Sequence, residues 1–527
     1  MCLWILALGT RRPMSSSAVV SGSSTPLARL ADGQSCPPGG RICAPVPRPF
    51  CAACQRVLYL KGLCLQGGTP VDLSEGAVGV LSSFRTACVT TSLGYVPTTG
   101  LCRPGRQRPL RRKRERLPGR PEATPLPPYT EGVPSDVMTS KLAGFGTTIF
   151  AEMSALADQT GAINLGQGFP DTDGPSEVLD AAVEAIRAGV NQYPPGPGHL
   201  ELRQAIAEHQ QRWYGIDLDA NTEVTVTAGA TEALAGALLG MLDAGDEVVV
   251  FEPMYDSYQA GIALAGAVAV PVVLTPSADG RYRFDPEQLR LAVTDRTKLI
   301  LLNTPHNPTG KVFDRSELQL VADIAIERDL IVVTDEVYEH LVFPGATHIP
   351  ISTLPGMAER TLTISSGGKT FHTTGWKIGW MCGPADLVTA ARTAKQFLTF
   401  VNGAPFQPAI SAGLRLGDDY FTRLRDDLLA TRDRLVAGLD EAGFTTYRQE
   451  ATYFTTVDIR PVRADGDGMA FCRSLPETAG VVAVPNEVFY ANQQHGRHLV
   501  RFACCKRFDV IDEAAERLVK AFAGGAS

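Results

Sequence analysis

The chain has 527 residues, a formal net charge of −7, and 44% hydrophobic against 20% charged residues. That length exceeds one compact core and suits two or three domains, and no apolar run is long enough to span a bilayer. Residues 1–137 hold 17 Lys and Arg against 7 Asp and Glu, which leaves 32 basic and 49 acidic residues for the rest, and a body so acidic excludes nucleic acid or anionic membrane as the main partner.

Residues 1–137 are dominated by Pro, Gly, Ser and Arg and sustain no helical or strand period. They can bury too little apolar surface to offset chain entropy and are expected to be disordered. The apolar stretch Trp4–Leu8 is too short for a secretory signal. The pair Cys51-x-x-Cys54 lacks a second clean pair to complete a tetrahedral zinc site, and the basic run Arg111–Arg116 reads as a solvated tail. The segment reads best as upstream sequence of a GC-rich genome translated in frame, with the true start at Met138, where globular character begins abruptly. Eight of the 12 cysteines fall in this stretch. The remaining Cys382, Cys472, Cys504 and Cys505 suit a reducing cytoplasm without a disulfide framework. No metal site is expected.

From Met138 onward, short apolar runs alternate with helix-length segments, the pattern of a mostly parallel sheet covered by helices. Strands are expected at 223–227, 247–251, 268–274, 298–302, 330–334, 361–365 and 376–382. Helices are expected at 231–242, 256–266, 315–328 and 385–399. Leu318, Val321, Ala322 and Ile324 keep a 3.6-residue period in the third of these. From about 420 the pattern changes to a helix, short strands and a final helix at 509–522, which reads as a smaller domain.

Open sheets of this kind place ligands at the carboxyl ends of their strands. The first strand runs into Gly229-Ala230-Thr231 and a helix. Small residues there let a backbone approach an anion such as phosphate, although such turns more often serve close packing. The fourth strand ends in Asn303-Thr304-Pro305-His306-Asn307-Pro308-Thr309-Gly310, a proline-stiffened turn that either aims the Asn307 amide or is a plain loop. The fifth ends in Asp335-Glu336-Val337-Tyr338. A carboxylate emerging from a buried strand needs a cation, either a protonated ring nitrogen or an arginine. The sixth leads to Ser366-Gly367-Gly368-Lys369, with Lys377 as a second cation eight residues on. A lysine between apolar strands loses hydration, which depresses its pKa and makes the amine a nucleophile fit for Schiff-base chemistry.

Taken in order, these four segments resemble the class I/II aminotransferases of pyridoxal-phosphate (PLP) fold type I, over about residues 138–525. The resemblance implies an α/β fold with a large PLP-binding domain at 171–415 carrying a mostly parallel seven-stranded sheet. It implies a smaller α+β domain built from an arm at 138–170 and the part at 416–527. It implies pyridoxal 5'-phosphate on Lys369, with Asp335 at the pyridine nitrogen and Asn307 and Tyr338 at the ring oxygen. Ser366, Lys377 and Gly229-Ala230-Thr231 would hold the phosphate, and Tyr255 would stack on the ring. Arg501 in Val500-Arg501-Phe502 would grip the substrate α-carboxylate with its planar fork.

The segments Leu165–Pro170 and Asn191-Gln192-Tyr193 resemble the branch of kynurenine–oxoglutarate and glutamine transaminases. That branch includes methionine aminotransferases and bacterial enzymes assigned to N-succinyl-diaminopimelate. Residues 191–198 and 403–407 look most like the last of these. The branch implies that Gly168 lines the substrate site and that Tyr193 reaches the phosphate of a neighbouring subunit in a homodimer. Ala451 stands where glycine is common, which is acceptable unless that position needs positive φ. The implied reaction is ping-pong transfer of an amino group from an L-amino acid to a 2-oxo acid such as 2-oxoglutarate. A cysteine-conjugate β-lyase on the same cofactor is the nearest rival. A PLP-binding transcription regulator would need a periodic helical domain that residues 1–137 do not offer.

Overall fold

The computed structural model describes residues 139–146 and 148–524. The expectations about residues 1–137 and a start at Met138 lie outside the described residues. The central sheet consists of β1 (Val224–Ala228), β2 (Glu247–Glu252), β3 (Val268–Val273), β4 (Thr297–Asn303), β5 (Ile331–Asp335), β6 (Thr361–Ser366) and β7 (Ile378–Cys382). It is seven-stranded, in the order β1-β7-β6-β5-β4-β2-β3. Pairs from β6 through β3 are parallel, and β7 alone runs antiparallel to its neighbours β1 and β6. Each expected strand forms within two residues of its expected bounds.

The inner strands β2, β4 and β5 are apolar on both faces, which is why they read as continuous runs. Val249, Ile300, Leu302 and Val332 pack with Leu318, Val321 and Ala322 in one core. Their alternates Val248, Val250, Leu299, Leu301 and Val333 pack with Ala233, Ala237 and Leu238 in another. The helices include α1 (Ile149–Thr160), α2 (Ser176–Arg187), α3 (Leu200–Tyr214), α4 (Gly229–Met241), α5 (Asp256–Ala265), α6 (Arg315–Glu327), α7 (Gly367–Thr370), α8 (Ala385–Lys395), α9 (Phe406–Leu414), α10 (Asp418–Glu441) and α11 (Phe508–Phe522), beside Pro286–Ala292 and Gly468–Ala479. The start of α6 is fixed by a capping box in which Asp314 accepts from the Glu317 backbone and Glu317 accepts from that of Asp314. The helix expected to run to 399 stops at Lys395, where the backbone tightens so that Phe397 N and Leu398 N bond back three residues, to Ala394 O and Lys395 O.

A second, antiparallel sheet is formed by β8 (Thr445–Thr446), β9 (Phe454–Asp458), β10 (Val484–Pro485) and β11 (Leu499–Ala503), in the order β8-β9-β11-β10. Its core joins Val457, Val500 and Phe502 to Leu435 and Leu439 of α10 and to Ile511 and Leu518 of α11. Ile163–Asn164 pairs in parallel with Val481–Val482, so the amino-terminal segment is stitched to the carboxyl-terminal part. In the central sheet the register sets Asn303 beside Asp335, Asp335 beside Ile364, Ser366 beside Gly379 and Ala228 beside Ile378. The ends of five strands therefore meet along one edge.

Candidate active site

That edge opens into a cavity of about 210 Å³. Among the positions singled out from the sequence, Gly168, Gly229, Ala230, Thr231, Tyr255, Asn307, Asp335, Tyr338, Ser366, Lys369, Lys377 and Arg501 all line it. Tyr193 does not. It is 82% exposed and packs edge-on against Phe400, with ring centroids 5.6 Å apart.

Asp335 ends β5 and is almost wholly buried. Its Oδ2 accepts from the Tyr258 hydroxyl at 2.7 Å and its Oδ1 from Val337 N at 3.3 Å. Among the described residues no arginine or other cationic side chain forms an ion pair with it, so the arginine reading of this carboxyl drops out. Burial pushes its pKa up to about 6, against the opposing pull of Tyr258. Such a carboxyl has room for one cationic partner on the cavity side.

Lys369 sits in the single turn α7 that β6 feeds directly. Its Nζ lies 5.9 Å from the Tyr338 ring centre and 5.8 Å from that of Tyr453. Desolvation lowers the amine to about 8, so an appreciable fraction is free base near neutrality. Burial likewise pushes the Tyr338 hydroxyl far up and the Tyr255 hydroxyl to about 12, so both remain protonated donors. Tyr255 and Tyr258 meet edge-on at 5.7 Å.

The strand-to-helix turn at Gly229 explains its composition. Gly229 has φ +70°, and a Cβ built on it would lie 3.2 Å from both Cε and Nζ of Lys377. The Lys377 side chain thus lies across the first turn of α4, whose free N–H groups and positive dipole end favour an anion. Ser366 borders the same cavity. This end of the cavity has the donor set of a phosphate site.

Arg501, on β11, approaches from the second sheet and is buried. Its Nη1 donates to Asn307 Oδ1 at 3.0 Å and its Nη2 to Gly166 O at 2.9 Å. The guanidinium lies 4.0 Å from the Phe454 ring, 5.1 Å from Phe150 and 5.2 Å from Phe489. Asn303, which belongs to the turn motif but drew no role, holds the turn by accepting from Asn307 N at 2.8 Å and donating to Asp335 O at 2.9 Å.

Sequence reasoning passed over Tyr258, Phe150, Gln167, Phe454 and Thr374, all of which line the cavity. Tyr258 was reachable, since it lies in the first turn of the helix that Tyr255 caps. Phe150 carries no local signal. Ala451 is accommodated because the positive φ of that segment falls on the next residue, Thr452, at 63°. The two segments read as branch-specific meet in space, where His199 N, just past residues 191–198, donates to Gln407 Oε1 at 2.8 Å.

Comparison with known proteins adds the family. Residues 160–518 match the family Aminotransferase class I and II. A Mycobacterium tuberculosis protein named Probable N-succinyldiaminopimelate aminotransferase DapC is 53% identical over 387 residues, 72% of this chain and 97% of that protein. The methionine aminotransferase of Escherichia coli is 40% identical over 379 residues, 72% of this chain and 97% of that protein. The solved structure of N-succinyldiaminopimelate aminotransferase from Mycobacterium tuberculosis superposes with a TM-score of 0.71 at 52% identity, covering 73% of this chain and 100% of that one.

Proposed function

Because this chain belongs to the class I and II aminotransferases, we propose that it transfers an amino group from an L-amino acid to 2-oxoglutarate on pyridoxal 5'-phosphate. The observation that carries the cofactor assignment is the pairing, in one cavity, of the desolvated Lys369 amine with a buried Asp335 carboxyl that has no cation of its own. When bound, the cofactor supplies an electron-poor ring that accepts the electron pair left as the substrate α-proton departs. Lys369 would hold it, and Asp335, braced by Tyr258, would keep its ring nitrogen protonated. Asn307 and Tyr338 would bind the ring oxygen, and Tyr255 would cover a ring face. Lys377, Ser366 and the backbone of Gly229-Ala230-Thr231 would bind the phosphate.

The chain's own groups then act on the substrate. Arg501 receives the α-carboxylate, held in place by Asn307 and Gly166 O so that little ordering remains to be done on binding. The Lys369 Nζ takes the α-proton as free base and returns it as ammonium, a role suited to a pKa near the working pH. Tyr453, whose hydroxyl donates to Gly168 O at 2.6 Å, fixes the backbone that closes the cavity beside the substrate.

The proposal extends to a homodimer in which Tyr193 reaches the partner's phosphate site. Its 82% exposure, beside Phe397 at 80% and Phe400 at 50%, supports a covered surface there. The free thiols of Cys382, Cys472, Cys504 and Cys505 support a reducing, cytoplasmic setting. A division of the body at about 170 and 415 is supported by the pairing of Ile163–Asn164 with Val481–Val482, which ties the arm to the later part.

The test is a donor panel of N-succinyl-diaminopimelate, kynurenine, glutamine and methionine, offered to the cofactor-loaded protein without an acceptor. Loss of the cofactor-aldehyde absorbance with one donor, and its return on adding 2-oxoglutarate, is the expected result. No change with any donor despite bound cofactor would sink the assignment.

A further inference from the structure

A second cavity, of about 500 Å³, adjoins Lys369. Lys369 is the one residue that lines both this cavity and the candidate active site, and none of the other groups assigned to cofactor or α-carboxylate faces it. Its wall is largely apolar. Leu341, Leu428 and Tyr453 are buried in it, and Leu424 and Phe508 complete it. That volume, with an apolar lining and a few polar groups, falls in the range of small-molecule sites.

The charges on this wall are unequally placed. Asp427, Arg507 and Asp509 are exposed, and Arg507 is neutralised by Asp509 at 3.2 Å and Asp171 at 3.6 Å. Lys506 differs from all three. It is only 9% exposed, and among the described residues its ammonium forms no ion pair with a carboxylate. Its Nζ donates to Phe169 O at 2.8 Å and lies 4.2 Å from the centre of the Phe169 ring. The side chain therefore runs from the backbone beside Cys505 to the backbone beside Pro170, and both of these residues line the cavity. An ammonium carries three hydrogens, of which the carbonyl takes one. Lysines are seldom buried without a carboxylate, because desolvated charge is costly unless it is paired. A carbonyl and a ring face compensate only part of that charge.

We propose that this cavity is a second ligand site, which takes a small molecule with an apolar body and a single carboxylate. The body fills the space between Leu341, Leu424, Leu428 and Phe508. The carboxylate accepts from Lys506 Nζ, a charge-assisted bond strengthened by the largely apolar wall. The exposed carboxylates of Asp427 and Asp509 disfavour a second negative charge, so a dicarboxylate is a poor occupant. The site goes beyond amino transfer and does not depend on it.

The experiment is calorimetric titration of the cofactor-loaded protein with cinnamate, with cinnamamide as a neutral molecule of the same size, and with phenylsuccinate as a dicarboxylate. Cinnamate is expected to bind more tightly than cinnamamide by roughly 10-fold to 100-fold, the scale of a hydrogen bond to a charged group. Phenylsuccinate should bind more weakly than cinnamate. In Lys506→Met the ratio of cinnamate to cinnamamide affinity should fall to near one, and a ratio cancels any loss of folded protein. Leu424→Trp, which fills the cavity from α10 and lies outside the candidate active site, should abolish binding of both. If that variant fails to fold, the Lys506→Met ratio still decides. Absence of cinnamate binding, a Lys506→Met ratio equal to that of wild type, or tighter binding of phenylsuccinate would each overturn the inference. So would binding that survives Leu424→Trp and is lost in Arg501→Lys, because the probe would then sit on the substrate arginine. Each of these outcomes leaves transamination untouched.

Discussion

Arg501 and Asn307 lie 194 positions apart in the chain and meet at 3.0 Å, Nη1 donating to Oδ1. The same guanidinium donates to Gly166 O, so a single side chain ties β11, the turn after β4 and the amino-terminal segment together. Burial lowers it only to about 10, so it stays cationic across the neutral range. Its Nε has no partner, and three aromatic rings enclose it. The fork is thus oriented before any carboxylate arrives.

Arg501→Lys keeps the charge but can satisfy neither the two existing acceptors nor a bidentate carboxylate. The expected outcome is a rise in KM for every amino donor and a loss in kcat/KM of roughly 10-fold to 100-fold, the scale of a hydrogen bond to a charged group. Steady-state kinetics with two chemically different donors checks it. An effect on one donor only would argue that Arg501 touches the side chain rather than the α-carboxylate.

Lys369→Met should abolish turnover, by at least about 10³-fold if the lysine is the acid–base group. The same change should raise the melting temperature of the cofactor-free protein at pH 7. The amine is depressed to about 8 from an ordinary 10.5, so the folded state carries the cost of a buried charge below about pH 8. Between about 8 and 10.5 the unfolded chain binds the extra proton, so stability rises with pH and the advantage of the variant should shrink toward pH 10. Scanning fluorimetry across that range decides the sign.

Tyr258→Phe removes the hydroxyl that holds the charged form of Asp335. The Asp335 pKa, already about 6 through burial, should move higher. The acid limb of the kcat/KM profile is therefore expected to shift upward in pH, and cofactor affinity should weaken by about 10-fold. Unchanged profiles would show that the contact braces the fold without tuning the carboxyl.

Gly168→Ala places a Cβ 2.5 Å from Phe454 Cζ and 2.8 Å from Tyr453 Cε2. One of the rings must move, and Phe454 lies against Arg501. Overpacking of this kind costs roughly 1–3 kcal/mol. The variant should show a lower melting temperature together with a raised donor KM, whereas a stability loss with unchanged KM would mean that Tyr453 yields instead.

The seven strands of the central sheet and the turn segments at their ends were readable from the sequence alone, because their signals are local. Continuous apolar runs mark strands buried on both faces, and Gly, Asn-Pro and Asp at their ends mark turns whatever lies beside them. Strand order was not readable. The placement of β7 between β1 and β6, antiparallel to both, depends on long-range pairings with β1, such as Ile378 with Ala228, 150 positions apart. Nor was the rest of the site. Tyr258 reaches Asp335 across 77 positions, and Phe150 reaches Arg501 from the opposite end of the body. Short-range periodicity and turn chemistry determine which elements form. Which side chains share a low-dielectric cavity, and so which amine is depressed and which carboxyl is raised, is decided by long-range packing that no local pattern records.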